Sequence, residues 1–176
     1  INTINKNDQF LVFNEPINLE FVKKNNIEFV ISYGYKFLVK NEVINYLELN
    51  IINLHISYLP FNKGYYPNLW SHLEDTPSGV SIHRINSGID RGDILIREKV
   101  VFDFENTTLN SSYNLLREKI EVLFKKNWDK IKKNKIKGYQ PLEKGSFHLK
   151  KEGDRIISQL HDGWDTKICD LKKLKY

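Results

Sequence analysis

A single cysteine, Cys169, excludes an internal disulfide framework and a thiolate metal cluster. No apolar run reaches the length of a bilayer, and the start shows no signal-peptide pattern. Together these fit a cytoplasmic protein that does not enter a membrane. GxGxxG is missing, so a dinucleotide site has no support. The compact zinc signature HExxH and the nucleophile elbow GxSxG are missing too. No internal repeat occurs. The chain opens on Ile1 rather than Met, and neither the usual first strand of a parallel α/β sheet nor its glycine-rich turn is visible. We therefore expect the natural protein to carry residues ahead of Ile1, including an N-terminal strand.

What is present is enough for one domain: 176 residues, of which 40% are hydrophobic. The formal net charge is +5, and seven lysines lie between Lys125 and Lys137. A run of that kind reads as the solvated face of a helix and its exit loop, although a basic surface can also attract an anionic ligand. Residues 10–13 (FLVF) read as a buried strand, 17–26 as a brief helix, and 27–33 (IEFVISY) as a strand ended by Gly34. Helical spacing runs over 36–48 through Phe37, Leu38, Val43, Ile44 and Leu47. Strands follow over 51–56 and 79–85, the latter with Ser81 and His83 on an exposed face, and over 94–103, paired to the one before it. Pro67 starts a short helix with Leu69, Trp70 and Leu73. The longest helix covers 112–133, with Leu116, Ile120, Leu123, Phe124, Trp128 and Ile131 on one broad face. Residues 1–140 form the main body. Residues 141–176 form a polar extension packed on it through Leu160 and Trp164. Strands alternating with helices before residue 60, then adjacent strands, predict an α/β domain with a mixed, mainly parallel sheet and helices on both faces.

Such sheets bind ligands beyond the C-terminal ends of their strands. Asn53 and His55 sit there, two residues apart, and so point to one side. They are followed by a loop with special backbone demands, Pro60, Gly64 and Pro67, and later by GVSIHRINSGIDRGDIL (79–95). That stretch holds His83, Asp90 and Asp93 among glycines. A histidine, an amide and a carboxylate converging at strand ends make a plausible acid–base site. A metal site built from His55, His83, Asp90 and Asp93 matches no compact ligand spacing, so no metal is expected. Ser57 follows His55 too closely to serve easily as its attacking partner.

The stretches INLHISYLP, PNLWS, TPSGVSIHRI and GIDRGDIL closely resemble the formyltransferases that use N10-formyltetrahydrofolate, over about residues 28 to 104. The resemblance implies a Rossmann-like fold and catalytic roles for Asn53, His55 and Asp90. It implies N10-formyltetrahydrofolate as co-substrate, held near Tyr33, Ile85, Gly88, Ile89 and Asp90. The form SYLPFNKGYYPNLWS and the tail SFHLKKEGDRIISQLHDGWDT look like the nucleotide-sugar N-formyltransferases. The implied acceptor is then the amine of an NDP-linked amino-dideoxysugar, with dTDP as the expected nucleotide and surface-polysaccharide (O-antigen, lipopolysaccharide) biosynthesis as the setting. Tyr35, Lys36, Lys63, Tyr65, Tyr66, Asn68, Trp70 and His83 are the expected acceptor-side residues. Lys63 stands where relatives often have arginine, and Trp70 could equally pack its helix onto the sheet. The purine-pathway enzyme typically has Pro after the catalytic histidine, where this chain has Ile56, so phosphoribosylglycinamide formyltransferase is the alternative. A non-catalytic nucleotide- or folate-binding module is the other. The tail after Gln140 is short for the RNA-binding domain of the tRNA enzymes, so no nucleic-acid partner is expected. A homodimer is compatible with the sequence.

Within such a site, Asn53 and His55 would donate to the oxygen on which charge develops when an amine attacks the formyl carbon. Asp90 would orient the imidazole and favour its charged form. His55 or Asp90 would accept the proton that the attacking nitrogen loses.

Overall fold

In the computed structural model, which describes residues 8–174, the chain runs α1 (Leu19–Lys24), β1 (Val30–Tyr33), α2 (Asn41–Leu47), β2 (Ile51–His55), β3 (Lys63–Gly64), α3 (Pro67–Leu73), β4 (Gly79–Arg84), β5 (Ile94–Lys99), α4 (Leu109–Lys132), β6 (Phe147–His148), α5 (Lys150–Ile157), a 3-10 turn (Gly163–Asp165) and α6 (Ile168–Leu171). Four strands form one sheet in the order β1-β2-β4-β5, and β3 pairs with β6 beside it. The sheet is mixed, as expected. Its pairing among the described strands is not mainly parallel: β1–β2 is parallel, whereas β2–β4 and β4–β5 are antiparallel. The reason lies in the connections. α2 carries the chain back between β1 and β2 as a crossover, while β5 follows β4 through a local turn and returns beside it.

Strand β2 positions everything else. Its residues alternate between two covered faces. Ile52 and Leu54 join Val80 and Ile82 under α4, where Leu116, Ile120, Leu123, Phe124, Trp128 and Ile131 close the main core. The apolar face expected for this helix is therefore the buried one, and each such side chain contributes about 1.5–3 kcal/mol of burial. Thr108 caps the helix, its side chain accepting from the Ser111 amide (3.1 Å) while Ser111 Oγ accepts from the Thr108 amide (2.9 Å). On the opposite face, Ile51 packs with Val22 of α1 and with Val43 and Leu47 of α2. These two short helices cover only the start of the strand. Its far end, with Asn53 and His55, is left to the loops. The seven lysines of 125–137 are all exposed, as a solvated helix face requires.

Three further expectations need correction. Residues 10–13 form no strand, and Leu11 and Val12 are exposed. This segment is held by side chains instead: the Phe13 ring stacks on Phe21 at 4.0 Å, and the Trp128 indole donates to Asp8 (2.6 Å). The helix expected over 36–48 begins only at Asn41. Gly34, in the left-handed region at φ +62°, turns the chain outward and leaves Phe37 and Leu38 exposed. Strand β4 has no exposed face, since all six of its residues are buried. Ser81 is covered by the loop after β2, donating to the Ser57 carbonyl (2.7 Å) and accepting from the Leu59 amide (3.0 Å).

The C-terminal residues pack on α3. Leu160 packs at the edge of this contact and the Trp164 ring lies 6.1 Å from that of Tyr66, but the buried contacts come from Ile156, Ile168 and Leu171, which cluster with Leu69, Trp70, Leu73 and Leu109. His72 lies in the same region, buried, with its ring edge-on to Phe102 at 5.3 Å. Burial, aided by the charge of Lys172 and only partly offset by Asp75, pulls its pKa down to about 4. The unfolded chain binds a proton near pH 6.5 that the folded chain refuses, so stability should fall as pH drops from 6.5 toward 4. The loss should approach roughly 3 kcal/mol below pH 4. Urea unfolding of wild type and His72→Asn between pH 7 and 4 checks this. The variant should lose much of the slope, and an unchanged slope would reject His72 as its source.

Candidate active site

The period of two in β2 and the antiparallel register with β4 bring three side chains to one face. Asn53 lies opposite His83, and His55 opposite Ser81. The turn after β4 then returns Asp90 over them. Asp90 takes φ +52°, and neighbouring Gly92 lies so close to Arg84 that a Cβ would stand 1.8 Å from the Arg84 carbonyl oxygen. Only glycine allows that approach, and it is what brings Asp90 in.

Asp90 is the hub of the group. Its Oδ1 accepts from Asn53 Nδ2 (3.3 Å) and lies 3.4 Å from His83 Nε2. Its Oδ2 accepts from the Gly64 backbone amide (2.9 Å) and lies 3.6 Å from His55 Nε2. Burial opposes ionisation, but His55, His83 and the Gly64 amide outweigh it and hold the Asp90 carboxyl well below the usual carboxylate range. His83 Nδ1 lies 2.7 Å from the Arg84 carbonyl, which can only accept, so this nitrogen carries a proton. In the neutral ring, Nε2 is then left to accept from Asn53 Nδ2 at 3.2 Å. Both amide protons of Asn53 are thus engaged, one by His83 and one by Asp90. Donating to a substrate oxygen requires one of these bonds to be released or shared.

His55 differs from the sequence expectation. Asp90 does favour its charged form, but burial is the larger effect and the net pKa falls below the usual histidine value. The resting imidazole is neutral near pH 7. Its Nε2 is buried, has no hydrogen-bond partner, and faces the carboxylate. An orphaned buried nitrogen beside an ionised carboxylate is poised to bind a proton once another group delivers it.

The other expected residues divide. Lys63 borders the group, since it precedes Gly64, and it lines a cleft of about 380 Å3 with Asp90, Arg91 and Gln140. His83 is 2% exposed, with its Nε2 3.4 Å from Asp90 Oδ1. Tyr33 lies on the other face of the sheet: it aligns with Leu54, and its hydroxyl donates to Glu121 of α4 (3.0 Å). Ile85 packs its side chain against the α1–α2 cluster, and its amide donates to Ile51 (3.2 Å). Ile89 is exposed, and the Gly88 amide is held by Asn86 (2.9 Å). Tyr35 braces the N-terminal segment, accepting from the Ile17 amide and donating to the Glu15 carbonyl, each at 2.8 Å. Lys36 is exposed. Asn68 is buried and ties α3 to α4, donating to the Leu109 carbonyl and Ser112 hydroxyl, each at 3.0 Å. Trp70 is buried, stacks on His148 at 4.0 Å and clusters with Ile156, Ile168 and Leu171. Tyr65 is exposed, and Tyr66 donates to Asp154 (2.6 Å). Among the described residues, no group of three or more His, Cys, Asp or Glu could hold a metal ion.

The Gly64 amide escaped sequence reasoning as a donor to Asp90, although the Asn-Lys-Gly turn was a signal. Gly64 has φ +87°, and a Cβ on it would stand 2.4 Å from the His148 carbonyl oxygen. Gly64→Ala should therefore shift the β3–β6 pairing and weaken the amide's bond to Asp90. We expect a stability loss of about 1–3 kcal/mol in urea unfolding, with a fall in any activity that depends on Asp90. Wild-type stability in this variant would contradict the crowding.

Residues 12–125 match the family described as Formyl transferase. Among solved structures, the chain is 41% identical to the formyltransferase PseJ from Anoxybacillus kamchatkensis, over 92% of this chain and 86% of that one, with a TM-score of 0.85. That structure is a complex with UDP-4,6-dideoxy-4-formamido-L-AltNAc and tetrahydrofolate. An N-formyltransferase from Helicobacter canadensis, in complex with folinic acid and dTDP-3-aminofucose, is 26% identical over 84% of this chain and 60% of that one, with a TM-score of 0.64. The methionyl-tRNA formyltransferase of Clostridium tetani is 26% identical over 89% of this chain, which spans 49% of it. The chain thus spans about half or less of the length of the curated relatives it matches.

Proposed function

Because the chain belongs to the formyl transferase family, we propose that it moves a formyl group from N10-formyltetrahydrofolate to the amine of a nucleotide-linked amino-dideoxysugar. The observation that carries this reading is the cluster of Asn53, His55, His83 and Asp90 at one strand end, in a chain 41% identical to a formyltransferase held with a UDP-formamidosugar and tetrahydrofolate. The buried, unpartnered His55 Nε2 is the feature of this chain that fits a reacting substrate. That relative's UDP, beside the dTDP of the Helicobacter protein, leaves UDP and dTDP both as nucleotides to try. UDP has the nearer relative behind it, in place of the dTDP expected from sequence.

The donor supplies a formyl carbon open to attack. Neutral His55 accepts the proton that the attacking amine loses as the new C–N bond forms, and becomes imidazolium beside ionised Asp90. Asn53 donates to the oxygen that takes up charge, giving up one of its two present bonds. Protonated His55 then returns its proton toward the departing N10 nitrogen as the old C–N bond breaks. Asp90 stays ionised throughout, held by the Gly64 amide. In this reading residues 1–140 carry the chemistry, and 141–176 complete the acceptor side through β6 and α5. Among the described residues, no helix is long and apolar enough to cross a membrane. A cytoplasmic location and action without nucleic acid belong to the same proposal.

The test is turnover of N10-formyltetrahydrofolate against a panel of UDP- and dTDP-linked 3-amino and 4-amino-dideoxysugars, with glycinamide ribonucleotide as control. Selective formylation of one aminosugar is expected. Preference for glycinamide ribonucleotide, or no transfer to any amine, would reject the reading.

A further inference from the structure

Lys63 and Arg91 both line the cleft that opens beside Asp90. Lys63 precedes the residue whose amide binds Asp90, and Arg91 follows Asp90 itself. The cleft holds two carboxylates, and each is engaged elsewhere. Asp90 is held by Asn53, Gly64 and the histidines, and Glu143 pairs with Arg97 at 3.1 Å. Gln140 is also engaged, donating to Asp93 (2.7 Å) and to the Arg91 carbonyl (3.2 Å). Among the described residues, neither Lys63 nor Arg91 makes an ion pair. Two cations thus share one cleft with neither in an ion pair. Burial, and then repulsion from Arg91, hold Lys63 below the usual lysine value, with Asp90 pulling it back. Like charges brought together without a partner cost stability, and an anion entering between them would relieve that cost.

We propose that Lys63 and Arg91 form a two-cation clamp for the diphosphate of the acceptor. This rests on the nucleotide-sugar reading above and names the part of the site that reads the nucleotide. The choice of anion follows from position. If the acceptor amine sits at His55 and Asp90, its diphosphate lies one sugar ring away. Lys63 and Arg91 are each one residue removed from the groups that hold Asp90 in place. The carboxylates of the folate glutamate lie farther from the transferred carbon, beyond an aromatic ring and an amide. The guanidinium of Arg91 supplies the planar fork that suits two phosphate oxygens, and Lys63 supplies a compact point charge.

The test uses the full chain and free UDP and dTDP as probes, so that binding is read without formyl transfer. Titration calorimetry on wild type, Lys63→Gln and Arg91→Gln is expected to show Kd for the nucleoside diphosphate raised about 10- to 100-fold in each variant. Wild-type affinity should fall with added salt, and less steeply in the variants. In steady state, KM for the NDP-aminosugar should rise far more than kcat falls, while KM for N10-formyltetrahydrofolate stays near wild type. Circular dichroism and retained folate binding confirm that the variants fold. Wild-type Kd for UDP and dTDP in both variants would overturn the clamp even if the enzyme formylates an NDP-aminosugar. So would a selective rise in KM for polyglutamylated donor, which would assign the cations to the folate tail. Failure of the functional reading is separate: it appears as wild-type enzyme that formylates no NDP-aminosugar.

Discussion

His55→Ala is expected to lower single-turnover formyl transfer, at saturating concentrations of both substrates, by about 100- to 10,000-fold. The buried imidazole is neutral at rest, and its unpartnered Nε2 faces the ionised Asp90. A group in that state can take a proton at little cost, because the counter-charge is already in place. Alanine removes the acceptor, together with the largest of the influences that lower the Asp90 pKa. Binding of folate and of nucleotide sugar should change much less than turnover, because the proton is handled only after attack. His55→Gln keeps a hydrogen-bonding side chain of similar reach and should be nearly as slow, since an amide cannot carry the proton. Near-wild-type chemistry in His55→Gln would show that the residue only orients substrate. The pH profile gives a second check. The active form has neutral His55, whose folded pKa lies below 6.5. The acidic limb of the rate should therefore have its midpoint below pH 6.5.

Asp90→Asn should have an effect of comparable size for a different reason. The carboxylate faces donors on both sides, with Gly64 N–H on Oδ2 and Asn53 on Oδ1. An amide must put its NH2 against one of them. The less crowded choice turns it toward His83 Nε2, which can accept, but this displaces Asn53 from both partners. The substitution thus loses the counter-charge for imidazolium and loosens the amide that stabilises the oxyanion. Loss of one such donor alone costs about 100- to 1000-fold in turnover, and we expect Asp90→Asn to reach at least that range. Its acidic limb should shift to lower pH, because Asp90 raises the pKa of His55 and the substitution removes that effect. A limb moving to higher pH, or a rate within tenfold of wild type, would show that Asp90 does not act through His55. Asn53→Ala should fall in the same 100- to 1000-fold range without moving the limb.

Local periodicity is what a sequence carries best, and several features here are local. The two-residue spacing of Asn53 and His55 decides that they share a face whatever surrounds them. The apolar stripe of 112–133 decides which side of α4 is buried, and Pro67 marks the start of α3 because its missing amide proton costs nothing at that position. Elements whose fate depends on a distant partner were read less well. FLVF (10–13) is as apolar as a strand, but a strand needs a neighbour's backbone, and none among the described residues supplies one. Ser81 and His83 alternate as an exposed face would, yet the loop after β2 and the turn carrying Asp90 fold over them. Tyr33 borders the right strand end, but the pleat sends its ring to α4.

The chemistry of the site divides in the same way. Residue types and order point to Asn53, His55, His83, Asp90 and Asp93, and the family resemblance singles out Asn53, His55 and Asp90 among them. Only the tertiary structure decides that Asp90 rests on the Gly64 amide, that His83 is buried beside it, and that Asn53 has no idle proton. It also decides the charge of His55. From sequence the neighbouring carboxylate is the visible influence, and it favours imidazolium. Burial is a property of everything packed around the ring, including the loop at 57–64 and strand β4, and here it outweighs the carboxylate. A pKa is a balance between solvent removed and charge brought near, and the first of these exists only after the chain has closed over the residue.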